Sequence, residues 1–407
     1  MIISAILIPV QLHLNNSRVE YDLTNELNIM KHDFRKVCFN NDFFNIVDYS
    51  KPVIRFSENP ILSPEMVNSV WKDPALKVIT VHNAGVTEYD NQVLLLFRSH
   101  LRSGRSVLGI ARSPDGITNW RIDLHPALIP ATTNDIFENG VDIQKQIEME
   151  SGGIEDPRIT RIHDKYIITY SAYHAKISNR VRVCIASTTD FFSFTRFGPI
   201  VETDMRNVVI FPEKIGNKYF ALLRPNDSTY EDLGGLYTQI RTGTTTSLKH
   251  GKWKISKEPI MKTGAGPSSF SDKIGPGAPP IKTSQGWLNI FHGVRKTMSG
   301  NPYVLGVALH NIYNPSEVLM SSIPVLFPTS ADCKVGDDVY VHVPQVVFTC
   351  GALKKEDGTV MIYYGGNDTV LNLALSHEDI LIGMCKNYYQ DPLNGSWGYD
   401  ISSLKDK

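Results

Sequence analysis

The stretch Gly152-Gly153-Ile154-Glu155-Asp156-Pro157-Arg158 places two carboxyls, a fixed turn and a guanidinium within seven residues. The glycine pair admits backbone angles closed to other residues, so the chain can turn sharply or approach a ligand closely. Pro157 fixes its own φ and biases Asp156 toward an extended conformation. The carboxylates therefore stand at a strand entrance, on a constrained backbone, beside a permanent positive charge. That arrangement suits a positioned general acid. The plain alternative is a surface turn in which an acid merely pairs with Arg158, a common arrangement that contributes little.

The bulk properties narrow what such an acid could serve. A chain of 407 residues is long enough for two or three domains, although repetitive all-β folds run longer as single units. Its formal net charge of −1 gives no electrostatic case for nucleic acid or an anionic membrane as partner. The five cysteines (Cys38, Cys184, Cys333, Cys350, Cys385) are scattered and contain no CxxC pair. They indicate neither a zinc site nor a disulfide framework, and point to a reducing compartment. No cluster with metal-ligand spacing is seen, so no metal and no cofactor are expected. The apolar run Met1 to Val10 is too short to span a bilayer and lacks the basic flank and cleavage site of a secretory signal. A cytoplasmic location is the resulting expectation.

The elements that must hold the acid pair announce themselves as an internal repeat. One apolar, aromatic-rich strand recurs five times: Leu94 to Arg98, Tyr166 to Tyr170, Tyr219 to Leu223, Trp287 to Phe291 and Val360 to Tyr364. Turn signals precede most copies, among them Tyr89-Asp90-Asn91, Gly216-Asn217-Lys218 and Asp357-Gly358. A second strand and a polar turn follow each. Five such units predict an all-β fold, a five-bladed β-propeller over residues 51–407, with residues 1–50 left as an unassigned N-terminal extension. Two packed sandwiches are the competing all-β reading, and a single repeat through the whole chain argues against them.

If the first strand of each unit lines a central channel, the polar residues beside it face one site. These are His82-Asn83, Glu155 to Arg158, Phe211-Pro212-Glu213-Lys214, Gly275 to Pro280, and Gly365-Gly366-Asn367-Asp368. Duplication alone would not require five different inserts at equivalent places, whereas one site built from five loops would.

With Arg224-Pro225, Gly286-Trp287 and Phe291-His292-Gly293, these inserts give the chain a resemblance to glycoside hydrolase family 130, the mannoside phosphorylases and β-mannosidases, from about Asn59 to about Ser376. The resemblance implies a five-bladed propeller that cleaves a non-reducing β-mannosyl residue with inversion. It also implies that Asp156 is the proton donor, in the family relayed through a sugar hydroxyl, and that Asn83 and Arg98 hold the sugar. Glu155, Arg158, His292 and Asp368 are the further expected substrate contacts. The implied partner is a β-linked manno-oligosaccharide or mannosyl disaccharide. Because some family members assemble through N-terminal extensions, the first 50 residues leave homo-oligomer formation open.

The nucleophile divides two readings. Inverting cleavage needs an acid on the leaving oxygen and an attack from the opposite face. Inorganic phosphate, as co-substrate, needs a cationic cradle, preferably of arginines. Water needs a second carboxylate, for which Glu213 is the candidate. Arg180, Arg182, Arg206, Lys214 and Arg224 are the candidate cradle, with Lys273 and Arg295 in reserve. Arg206 stands where phosphorylases often have lysine, and Leu223 where many have histidine. The retained cations place phosphorolysis ahead of hydrolysis. Duller roles exist for several of these residues: exposed strand faces for Arg98, Arg180 and Arg182, a local ion pair for Glu213-Lys214, a core position for His292 and a turn cap for Asp368. A non-catalytic glycan-binding propeller remains a different class of function, as does the invertase and arabinanase type. The latter places a carboxylate where this chain has Asn83.

Overall fold

In the computed structural model of the chain, each of the five apolar runs becomes the second strand of its own sheet, antiparallel to its neighbours: Gln92–Leu101, Lys165–Tyr173, Tyr219–Pro225, Gly286–Val294 and Thr359–Gly366. The structure describes the backbone of residues 34–39 and 42–47, and residues 51–177, 180–225, 239–249, 252–264, 268–335 and 341–393 in full. The chain divides into two compact units, Met1–Val47 and Asp48–Lys407. Described strands in the first unit are Phe34–Phe39 and Asp42–Val47, which pair antiparallel. In the second unit the five sheets form a five-bladed β-propeller. Residues 394–407, counted in the expected domain, lie outside the described residues.

The apolar runs are continuous because a blade is covered on both faces. In blade 1, Leu94 and Leu96 join a cluster with Ile154, Ile168 and Tyr170 of blade 2. Their neighbours Leu95 and Phe97 face the other way, and Phe97 stacks on Trp71 at 6.1 Å. Like clusters join blades 2 and 3 (Ile167 and Ile185 with Ala221 and Leu223), 3 and 4 (Phe211 with Trp287), and 4 and 5 (Ile290 with Ile362 and Tyr364). Blade 5 reaches blade 1 through Tyr363, whose hydroxyl donates to Gly116 O at 2.7 Å and whose ring meets Trp120 edge-on.

The ring is closed by non-sequential pairing. Ile54–Arg55 adds the outer strand to blade 5, opposite Leu375 and Ala374. Arg55 is held there by Asp332, through Nε to Oδ1 at 2.6 Å, and Tyr364 Oη donates to the same Asp332 oxygen at 2.7 Å. At the other terminus, Tyr389–Gln390 extends blade 4 after the helix Glu378–Asn387.

One expectation is corrected by this topology. The recurring apolar strand does not line the axis. The innermost strands are the ones that precede it: Val78–Tyr89, Gly153–Ile162, Met205–Ile210, Lys273–Pro276 and Val347–Lys354. Around the axis the inner strand of blade 5 contacts that of blade 1, blade 1 that of blade 2, blade 2 that of blade 3 and blade 3 that of blade 4. Since inner and second strands run antiparallel, the start of an inner strand and the end of a second strand share one mouth of the channel.

Candidate active site

Three inner strands carry the same irregularity near that mouth. Register breaks fall between His82 and Gly85, opposite Tyr170 at Asp156-Pro157, and between Arg206 and Val209. Two residues there oppose one on the second strand, which is a β-bulge. The first bulged residue is left-handed in each: Asn83 at φ 50°, Asp156 at φ 52° and Asn207 at φ 54°. Asn and Asp tolerate this conformation better than other non-glycine residues. A bulge re-aims the side chain it carries, and all three side chains line one cavity of about 210 Å³. The actual repeat is thus a polar residue followed by Asx: His82-Asn83, Glu155-Asp156 and Arg206-Asn207. Asn207 was not among the expected site residues, although that pairing was visible in the sequence.

Asp156 is held through one oxygen. Asn83 Nδ2 donates to Asp156 Oδ1 at 2.9 Å and Arg98 Nη1 donates to it at 3.2 Å. Both of these bonds end on Oδ1. Arg98 is shared with the neighbouring acid, its Nη2 lying 2.6 Å from Glu155 Oε1. Ser106 Oγ donates to that same oxygen at 2.9 Å. Burial opposes the charge of Arg98, but Glu155, Asp156 and Asp368 outweigh it and hold the guanidinium firmly protonated. Burial also pushes Glu155 up, against the pull of Arg98 and with the repulsion of Asp156. Asp368, in the turn after blade 5's second strand, is pushed up to about 7 by burial, against Arg98 and with help from Asp156 and Glu155.

The facing wall is cationic. Arg206 and Arg224 are direct cross-strand partners in blade 3, and both line the cavity. Like charges directly opposite one another in a ladder are destabilising on their own. Arg206 lies over the Tyr173 ring at 5.5 Å. His292, at the end of blade 4's second strand, also lines the cavity, 3.5 Å from Asn207 through Nε2. Burial, with Arg224, Arg158 and Lys273 nearby, keeps this imidazole neutral. Tyr303 and Phe348 flank it, with ring centroids at 6.1 and 4.6 Å.

Of the expected residues, the cavity gathers Asn83, Arg98, Glu155, Asp156, Arg206, Arg224, His292 and Asp368. The others lie elsewhere. Arg158 is 2% exposed and ties three blades together. It donates to Asp156 O at 2.8 Å, Asn207 Oδ1 at 3.1 Å and Gly277 O at 3.0 Å. It shapes the site from behind and is not a substrate contact. Glu213 and Lys214 follow the far end of blade 3's inner strand, at the opposite mouth. Glu213 pairs with Lys282 at 2.6 Å with its side chain 47% exposed, and Lys214 lies 4.8 Å over Tyr219. Neither can reach the acid pair. Arg180 and Arg182 sit at the start of blade 2's third strand, one strand too far from the axis. They line a separate pocket with Lys145, His174 and Glu202, where Arg182 pairs with Asp204. Leu223 is buried in the seam between blades 2 and 3. Lys273 and Arg295 do not line the cavity. Among the described residues, no group of three or more His, Cys, Asp or Glu could hold a metal ion.

The chain matches the family model described as beta-1,4-mannooligosaccharide phosphorylase over residues 52–387. It belongs to glycoside hydrolase family 130. It is 31% identical over 331 residues to a 1,2-beta-oligomannan phosphorylase of Thermoanaerobacter sp. (strain X514), covering 79% of this chain and 96% of that one. With a 4-O-beta-D-mannosyl-D-glucose phosphorylase of Bacteroides fragilis it shares 27% identity over 88% of each chain. Among solved structures it is similar to the beta-1,2-mannobiose phosphorylase of Listeria innocua in complex with beta-1,2-mannobiose. That match has a TM-score of 0.67 and 26% identity, and covers 82% of this chain and 99% of the other.

Proposed function

We propose that the protein is an inverting β-mannoside phosphorylase, with Asp156 as proton donor and inorganic phosphate bound between Arg206 and Arg224 as nucleophile. The observation that carries this reading is the pair of guanidiniums on directly opposed strand positions at the cavity wall. Strand register brings two arginines to one wall of the cavity, and arginine makes the bidentate contacts that phosphate accepts. The named activities of the relatives point the same way.

In this reading a phosphate oxygen attacks the anomeric carbon from the face opposite the aglycone. The bond to the leaving oxygen breaks, and that oxygen takes the proton from Asp156, directly or through a sugar hydroxyl. The products are α-mannose 1-phosphate and a shortened sugar or free aglycone. Asn83 and Arg98 fix the acid through Oδ1. Asp368 and the neutral His292 are suited to hydrogen bonding with sugar hydroxyls. A cavity of about 210 Å³ lies below the roughly 300–1,000 Å³ of drug-sized sites, so it suits one sugar ring with its anion and leaves the rest of the substrate outside. Hydrolysis would need a carboxylate to activate water, and the candidate for it, Glu213, is at the wrong mouth. The thiols of Cys184, Cys350 and Cys385, buried and unpaired, suit a cytoplasmic enzyme.

The deciding assay incubates the protein with β-1,2- and β-1,4-linked mannosides with and without inorganic phosphate. Phosphate-dependent α-mannose 1-phosphate is the expected product. Free mannose released at the same rate without phosphate would overturn the reading.

A further inference from the structure

The network around the acid pair continues beyond the residues that line the cavity. Ser106 opens the third strand of blade 1, and His100 lies directly across the ladder from it. Ser106 is fully buried, and its single hydroxyl proton goes to Glu155 Oε1 at 2.9 Å. Arg98 Nε points at the same Ser106 oxygen from 3.4 Å. His100 Nδ1 lies 3.0 Å from that oxygen. Since the hydroxyl proton is committed, His100 must be the donor, which fixes its tautomer as Nδ1–H. The hydrogen bonds then run in one direction, from His100 through Ser106 to the Glu155 carboxylate. Burial, with Arg98 and His342 beside it, lowers His100 to about 4, so the donor is a neutral imidazole.

A backbone feature independently serves this contact. Gly153 has φ 128°, and a Cβ there would lie 2.6 Å from Ser106 N. Only glycine lets the entrance of blade 2 approach Ser106 this closely, and Glu155 follows two residues later.

We propose that His100 and Ser106 are positioning residues that hold Glu155 as a carboxylate beside Arg98, and so keep Arg98 aimed at Asp156. Neither lines the cavity; they act through the acid pair. The inference rests on Asp156 being the proton donor. The charged and titratable groups facing Glu155 are Arg98 from blade 1, Asp156 on its own strand, Tyr173 from the adjacent strand, Arg206 from blade 3 and Asp368 from blade 5. Those facing His100 are Arg98, His82 and His342. Removing the Ser106 donor leaves the Glu155 carboxylate less stabilised, so it takes up a proton at higher pH.

The test is the pH profile of kcat/KM for mannoside cleavage in the full-length protein, for wild type, Ser106→Ala, Ser106→Thr and His100→Leu. Inorganic phosphate titrates alike in all four. In Ser106→Ala the acid limb is expected to move up by about one pH unit, with kcat falling more than KM rises. Ser106→Thr keeps the hydroxyl and should restore the wild-type limb, while His100→Leu should give a smaller shift in the same direction. The same titration is read without turnover from the side-chain carboxyl ¹³C resonance of Glu155, assigned by its loss in Glu155→Gln. Profiles and resonances that superimpose on wild type in Ser106→Ala and His100→Leu, whatever the stability or absolute rate, would overturn the assignment. The limb is read from cleavage by either nucleophile. A wild type that releases mannose without phosphate therefore defeats the phosphorolysis reading and leaves this test standing.

Discussion

Two clusters of arginine and carboxylate take their acids from blade 2, Glu150 in one and Glu155 with Asp156 in the other, only a few residues apart, and they serve opposite ends. In the first, Glu150 accepts from Arg196 Nη1, Tyr170 Oη and Ala131 N, each at 2.7 Å, and from Gln146. Arg196 also donates to Ile129 O at 2.6 Å and pairs with Asp135 at 3.2 Å. Glu150 is fully buried and Arg196 1% exposed. In the second cluster Arg98, Glu155 and Asp156 use comparable bonds but keep 12%, 13% and 17% of their side chains exposed to the cavity. The closed cluster spends its polar groups on one another and anchors the helix Ile143–Glu150, which delivers the chain to Gly152. The open cluster sets Glu155 and Asp156 against one central guanidinium and leaves all three side chains partly open to the cavity. Chemical composition does not separate the two; access does.

Asp156→Asn tests that contrast most severely. It should lower kcat by roughly 10²–10⁴-fold, the usual contribution of a general acid, with the thermal midpoint nearly unchanged. In the closed cluster, Glu150→Ala should do the reverse. Breaking a buried ion pair costs about 3–5 kcal/mol of stability, read by denaturant unfolding, while kcat/KM of the folded fraction stays close to wild type. For Arg206→Ala the expected result is a KM for phosphate raised about tenfold or more, from the loss of a charge-assisted contact worth roughly 1.5–3 kcal/mol, with a smaller change in the mannoside KM.

A third carboxylate gives a pH-dependent variation. Burial would raise Asp332, but Arg55, Tyr364 and Thr329 outweigh it and hold its carboxyl below the ordinary range. A depressed folded pKa stabilises above the unfolded value of about 3.9 and is lost as pH falls through the folded one. Asp332→Asn should therefore remove part of the acid-induced loss of stability below about pH 4, measured as the thermal midpoint against pH. Smallest of all should be Glu213→Gln, an exposed pair at the far mouth, with stability within about 0.5 kcal/mol and unchanged mannoside cleavage. A large loss of activity there would revive the hydrolytic reading.

The repeat was legible because each apolar run is buried on both faces, which leaves a continuous signature such as Leu94 to Phe97. Asp156 was legible too, since Gly-Gly, Pro and Arg around an acid pair mark a constrained backbone. Which end of a strand a motif occupies was not. Glu213 and Lys214 read as site residues because they follow an inner strand, yet the site gathers where inner strands begin. Arg158 read as a substrate contact and proved to be a buried tie between blades. The polar-Asx pairing Arg206-Asn207 is legible in the sequence, but the place of Asn207 in the site depends on a bulge, and a bulge is defined by the partner strand's register.

Residue by residue, then, the sequence determined the number of blades, the strands' apolar faces and the acid pair at a strand entrance, because these depend on local periodicity and backbone preference. The left-handed Asp156, expected as extended ahead of Pro157, is set by the bulge against the neighbouring strand. The tertiary structure alone decided which charges share a cavity. Coulombic and hydrogen-bond partners such as Arg98 with Glu155, or Arg206 across from Arg224, are set by the closing of the ring and by strand register, which bring together groups distant in the chain.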